Sequence, residues 1–548
     1  MRRFHRISFP LLALLLTLTG CSVNPVTGQS EFSLVSPEQE VAIGANNYAP
    51  SQQSQGGRYY LDPDLQVYVS SVGRKLAAVS DRPNLPYEFV VLNNSVPNAW
   101  ALPGGKIAVN RGLLTYLEDE SQLAAVLAHE IVHAAARHGA SQMTRGTLLN
   151  IGAAAVGIAG ANYGLGQAGA QVAQLGAAAW MARYGREDEL ESDRYGMDYM
   201  VKAGYDPYGA VKLQETFVKL SEGRQQDFIS GLFASHPPSQ ERVNANQAKA
   251  ATLPKGVTNR DIYQRKISRL KRDEPAYKAQ DEAIKALNNK DAKGALAALD
   301  KAIAIQPGDG YFWELRGHAW EMLDNAANAE KAFTAAIGKN PDYFSHYLAR
   351  GMLRYEEANK TGARSDLEKS YNILPTPYAS YYLGEIALDS GDQQNAIRYF
   401  QTAASGSGEI AKKSQERLAV LELETAPHKY IPSKLVLGDD GYLIIVIKNN
   451  SPVTVTNVEL QLTKMLNSFI ADSTSSINGP SKLAPGQQVS LQTRIGPFKE
   501  SAEASAYRIK VSRVQIAAQS LSRIRKPLRQ KSATGQHPGI APQIRVRQ

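Results

Sequence analysis

Ala128-His129-Glu130-Ile131-Val132-His133 is the stretch on which the reading of this chain turns. On a helix, residues i and i+4 share one face, so His129 and His133 can offer imidazole nitrogens to one ion. Leu123, Val126 and Leu127 supply the apolar side of that helix, and Gly139 reads as its stop. Glu130 stands next to the first histidine, within reach of a metal-bound water. Zinc lowers the pKa of such a water from about 15.7 to about 7. A carboxylate there would take the proton and pass it to a leaving amine.

A catalytic zinc needs a third protein ligand and one open position. His138 lies nine residues after His129, where nine helical steps put it on the opposite face. It therefore reads as a surface or capping residue rather than a ligand. The acidic run Arg186-Glu187-Asp188-Glu189-Leu190-Glu191-Ser192-Asp193 is the better source. Glu189 and Asp193 share a face at i, i+4. One carboxylate can bind zinc while the other accepts a hydrogen bond from the distal nitrogen of a ligand histidine. A solvated helix face would give the same pattern.

Outward from this centre, Phe89-Val90-Val91-Leu92 and Lys106-Ile107-Ala108-Val109 read as strands, the second after a turn at Pro103-Gly104-Gly105. The rest of the region from about 60 to 270 reads as helical. Residues 146–182 carry no charge and are rich in Gly and Ala. Their low transfer energy and interrupting Asn and Gln favour a packed helix pair or a loop beside the site over a membrane hairpin.

Downstream, Pro307, Pro341 and Pro375 recur every 34 residues, as do Ala295, Ala329 and Ala363. Trp313, Gly317, Trp320, Ala329, Phe333, Ala336 and Pro341 hold tetratricopeptide spacing, so helix pairs stacked as a solenoid are expected. Past Pro427 the period becomes two: Val458, Leu460 and Leu462, then Tyr507, Ile509 and Val511, with Leu443 to Ile447 a further apolar strand. Turns at Asn449–Pro452 and Pro485-Gly486 complete the pattern of a small β-sandwich.

Composition closes off other classes. The chain has 548 residues, a net charge of +9 and a single cysteine. No internal disulfide is possible, and no nucleic-acid motif is present. The excess positive charge is partly local, since residues 521–548 carry seven Lys or Arg and no acid; that tail reads as disordered. The cysteine follows a basic start, an apolar run from Leu11 to Leu18, and Leu18-Thr19-Gly20. This resembles a bacterial lipoprotein signal with Cys21 acylated, which implies a membrane-anchored body in the periplasm, at the outer membrane of a Gram-negative bacterium. Residues 22 to about 60 read as a tether leading into a first helix.

The separated motifs together resemble the HtpX-type zinc metallopeptidases, in their periplasmic branch with tetratricopeptide repeats. They are His129-Glu130-x-x-His133, Glu189-x-x-x-Asp193, Ala203-Gly204-Tyr205-Asp206-Pro207, Asn98-Ala99-Trp100-Ala101-Leu102-Pro103-Gly104-Gly105, and Ser235-His236-Pro237-Pro238 with Arg242 six residues after the histidine. The Asn98–Gly105 motif matches the family's segment ahead of the edge strand that pairs with substrate. The resemblance covers about residues 25–425.

It implies an α+β gluzincin-type metalloprotease with one Zn2+ per chain, held by His129, His133 and Glu189. Glu130 is the base, and Asp193 orients a ligand. His236 is then a regulatory ligand at the open position, an oxyanion stabiliser, or only part of a His-Pro turn. The expected organisation is a signal peptide (1–20), a peptidase (21–270), a repeat solenoid (274–425), a β-sandwich (426–520) and a basic tail (521–548). Polypeptide substrates are expected, specifically misassembled outer-membrane proteins, with the assembly machinery of that membrane as partner. A chaperone or assembly scaffold with little proteolysis is the competing reading. The sandwich and tail have no counterpart in the resemblance.

Overall fold

A computed structural model of the chain describes residues 21–147, 184–222, 236–466, 470–498 and 501–520. The expected signal peptide, nearly all of the Gly/Ala-rich stretch, Ser235 and the basic tail lie outside the described residues. The described chain forms two compact units. One holds the residues up to Asp324 with Ala335–Tyr343; the other holds Asn325–Thr334 and the residues from Phe344 on.

The first unit starts with a hairpin, β1 (Cys21–Val23) against β2 (Ser30–Phe32), followed by α1 (Pro37–Ser54). This segment is not a free tether. Arg137 donates from Nε to Glu40 at 3.0 Å and from Nη2 to the Val35 carbonyl at 2.6 Å, and it also binds Ser22 Oγ. Ser141 Oγ donates to Glu31 at 2.7 Å. The segment that reads as a tether is a docked hairpin and helix instead.

After α2 (Pro63–Ala77) come β3 (Glu88–Leu92), β4 (Ala99–Leu102) and β5 (Lys106–Asn110), in the order β3-β5-β4. β3 runs parallel to β5, and β4 antiparallel to it. The expected strands at 89–92 and 106–109 are present, each one residue longer. The Gly104-Gly105 turn adopts the positive φ values, +73° and +80°, that glycine allows. β4 falls inside the Asn98–Gly105 motif. It is itself the outer strand, and among the described residues no strand pairs with its far edge.

The helix carrying the histidines is α3 (Glu120–Ala135), capped by Asp119 on the Gln122 amide at 3.1 Å. All of its residues are buried, as expected of a helix with neighbours all round. Those neighbours are the sheet, α2, α4 (Arg186–Lys202) and α5 (Tyr208–Glu222). α6 (Gln240–Ala250) packs on α4 and α5. The core built on Val91, Ile107, Leu127 and Met197 continues into Tyr277 of α7 (Ser268–Asn288), Leu299 of α8 (Ala292–Ile305) and Phe312 of α9 (Gly310–Met322). The Arg111 guanidinium lies 3.2 Å from the Tyr277 ring centre. The first repeat helices are thus fixed to the domain that carries α3 by burial and a cation–π contact.

In the second unit, Phe344–Glu356 pairs with Lys360–Ile373, and Pro377–Asp389 with Gln393–Ala404. Glycine sets the close approach within each pair. A Cβ on Gly351 would stand 2.8 Å from Leu367, and one on Gly384 2.7 Å from Phe400. Two sheets follow: β11 (Gln488–Gln492), β7 (Leu443–Lys448) and β6 (Ser433–Leu437) in one; β10 (Lys482–Leu483), β8 (Val455–Met465) and β12 (Tyr507–Ile516) in the other, where β9 (Ala471–Asn478) also pairs with β8. Ile445, Ile447, Leu460 and Val511 fill one core between them. The architecture is an α+β domain, a tetratricopeptide-like solenoid and a β-sandwich. Among the described residues no helix is long and apolar enough to cross a membrane.

Candidate metal centre

Helix geometry sets the first pair of donors. His129 and His133 are one turn apart on α3, with Nε2 atoms 3.0 Å from each other. α4 brings the carboxylates. Its first turn is acidic (Glu187, Asp188, Glu189), where the helix dipole favours negative charge. It crosses α3 closely because Gly196 has no side chain; a Cβ there would lie 3.3 Å from the His129 amide nitrogen. Glu189 then stands 3.5 Å from His129 Nε2 and 3.4 Å from His133 Nε2. The face that could have been solvated is buried at both Glu189 and Asp193.

Asp193 accepts from His129 Nδ1 at 2.9 Å, which leaves the Nε2 lone pair of His129 aimed at the cluster. His236 Nδ1 lies 2.9 Å from Glu189 and 3.3 Å from His129 Nε2. Donor atoms of His129, His133, Glu189 and His236 all fall within 4.8 Å of one another. Lone pairs this close, from imidazole and carboxylate, match the ligand chemistry of zinc. Glu130 stands beside them with Oε1 3.5 Å from His236 Nε2; its Oε2 is buried and has no hydrogen-bond partner among the described residues.

Burial raises Glu130 above the ordinary carboxylate range, partly opposed by His236 and His129. Burial disfavours charge on His129, but without an ion Glu189 and Asp193 outweigh it and lift that group to about 10, so a bound metal would displace the Nε2 proton. Burial, with His129 alongside, holds His133 well below the usual histidine value. For Asp193 burial pushes upward, and Arg242 and His129 overcome it to keep the carboxylate ionised.

Three features escaped the sequence reading. His138 is neither on the surface nor a cap. It is buried, with Nδ1 2.9 Å from His133 Nδ1. The argument from helical phase fails because α3 ends at Ala135, not at Gly139. Arg137 then turns the chain with φ +64°, and helix resumes at His138. Tyr184 stacks on His133 at 3.9 Å between ring centres; a lone aromatic ahead of an acidic run gives no warning of this. Arg242, quoted only as part of a motif, bridges Asp193, Glu189 and the Pro237 carbonyl.

The fold and this donor set define a zinc metallopeptidase. The description of Peptidase family M48 matches residues 63–250. The beta-barrel assembly-enhancing protease of Escherichia coli (strain K12) is 26% identical over 424 residues, covering 70% of this chain and 84% of that one. The metalloprotease YcaL of the same strain is 31% identical over 181 residues, covering 32% and 68%. The mitochondrial metalloendopeptidase OMA1 of Schizosaccharomyces pombe is 33% identical over 231 residues, covering 40% and 63%. The chain belongs to peptidase family M48 and is a zinc metalloendopeptidase.

Proposed function

We propose that His129, His133 and Glu189 hold the zinc, that Glu130 is the general base, and that the substrates are misassembled outer-membrane proteins of a bacterial envelope. The observation that carries the site is the convergence of donors from α3, α4 and the His236 segment within 4.8 Å. Zinc bound there would polarise the scissile carbonyl and acidify water. Glu130, buried and raised in pKa, takes a proton from the attacking water and returns it to the amide nitrogen as the bond breaks. Asp193 holds His129 in one tautomer. The outer strand β4, beside α3, suits an extended substrate bound through its backbone, a mode that tolerates many sequences.

The substrate class rests on the likeness to the assembly-enhancing protease over 70% of the chain. On this reading residues 21–270 are the peptidase. The repeats at 274–425 dock substrate or assembly partners, and the sandwich at 426–520 is an accessory domain. Cys21, acylated after removal of residues 1–20, would tether the molecule in the periplasm.

His236 sits among the donors, so we assign it to the open position as a latch on the resting site. This favours a gated protease and leaves room for scaffold activity while the latch is shut. Metal analysis with Glu189→Ala and Glu130→Gln tests the reading. The first should lose zinc. The second should keep it while losing peptide cleavage by at least about 100-fold. Zinc retained at wild-type affinity without Glu189 would refute the ligand set. If Glu130→Gln fully rescues an envelope defect, the scaffold reading wins.

A further inference from the structure

His133 is supported from behind by residues far from the reaction. His138 Nε2 lies 3.2 Å from Glu191 Oε1, which also accepts from Asn24 Nδ2 at 3.1 Å. A carboxylate only accepts, so His138 carries its proton on Nε2 and presents a lone pair at Nδ1. His133 Nδ1, 2.9 Å away, must then be the donor. That leaves His133 with its lone pair on Nε2, the atom facing Glu189 and His129. Among the described residues, the competitor for His138 Nδ1 is Ser192 Oγ, at a longer 3.5 Å. Asn24, His133 and His138 are all buried.

A second set of contacts reaches the same place. His138 turns back onto His133 only because Arg137 adopts φ +64°, a left-handed conformation that a non-glycine residue keeps only where its surroundings hold it. Arg137 is held there by Ser22, Val35 and Glu40. Asn24 and Ser22 belong to the N-terminal hairpin, which therefore holds residue 137 directly through Ser22 and residue 138 through Glu191.

We infer that His138 is a positioning residue for the metal centre, held by Glu191 and by Asn24 of the N-terminal hairpin, which fixes the tautomer and orientation of His133. The chain of contacts is Asn24–Glu191–His138–His133. It rests on the assignment of His133 as a zinc ligand. Carboxylate or carbonyl partners behind a ligand histidine are common; here a second histidine relays the carboxylate.

Zinc affinity of the purified protein, measured by competition with a chromophoric chelator, tests it. His138→Leu should bind zinc about 10–100-fold more weakly and shift the visible spectrum of the cobalt-substituted protein. His138→Gln should restore affinity to within about threefold, because its amide oxygen can accept from His133 Nδ1 while its amide nitrogen donates to Glu191. Glu191→Ala and Asn24→Ala should show smaller losses, about fivefold for one missing hydrogen bond. The metal-free melting temperature separates misfolding from ligand loss. If His138→Leu does not fold, the Glu191 and Asn24 variants carry the test. Wild-type affinity in His138→Leu, or in both outer variants, overturns the inference. So does a His138→Gln protein as weak as His138→Leu, since only space-filling would then remain. A protein that keeps its zinc after His133→Ala would instead bring down the ligand assignment beneath it.

Discussion

Arg242 grips Asp193 with two nitrogens, Nε to Oδ2 and Nη2 to Oδ1, each at 2.7 Å. Its third nitrogen, Nη1, stands 2.7 Å from Glu189 and 3.2 Å from the Pro237 carbonyl. One guanidinium therefore fixes the carboxylate behind His129, the carboxylate among the candidate ligands, and the residue that follows His236. Arg242→Lys keeps the charge but cannot make the paired contact. Zinc affinity in that variant should fall by about 10–100-fold, measured by chelator competition. An unchanged affinity would show that Asp193 and Glu189 hold their places unaided.

The crossing of α3 and α4 at Gly196 sets the distance from Glu189 to the histidines. Gly196→Val would drive side-chain atoms into the backbone at Ala128 and His129. Such overpacking costs about 1–3 kcal/mol. We expect a lower melting temperature together with weaker zinc binding. Lost stability at wild-type zinc affinity would mean that the helices separate without disturbing the donors.

His236 is the test of whether the resting enzyme is shut. Its Nδ1 lies within 3.3 Å of both Glu189 and His129, in the group of atoms that would surround the ion. His236→Ala should raise turnover of a quenched peptide severalfold at one zinc per chain. A fall in turnover at full zinc content would assign the histidine to the oxyanion instead.

Asp281, on α7, gives a pH signature remote from the metal. Burial raises it to about 6 from an ordinary 3.8, partly opposed by Arg111. The folded state binds this proton more tightly than the unfolded chain. Stability from this group is therefore present below about pH 4 and is lost as pH rises through about 6. Asp281→Asn should remove that loss and stabilise the protein at pH 7 by about 1–2 kcal/mol, after allowance for partial exposure. Denaturant melts of both proteins at pH 5 and pH 7.5 would check it. The difference between them should grow with pH.

Local patterns carried much of this molecule in the sequence alone. The i, i+4 spacing of His129 with His133, and of Glu189 with Asp193, needs only a helix. The 34-residue period needs only that equivalent helix pairs stack, and the alternation at Val458, Leu460 and Leu462 needs only a half-buried strand. Folding in three dimensions decided what local periodicity cannot encode. The approach of α4 to α3 depends on Gly196 meeting the backbone at His129, about seventy residues earlier in the chain. The place of His138 depends on one left-handed residue, Arg137, that breaks the helical phase and is held by the N-terminal hairpin. Helical spacing is a property of neighbours in the chain. Convergence on one ion is a property of packed surfaces, and it exists only once the core has closed.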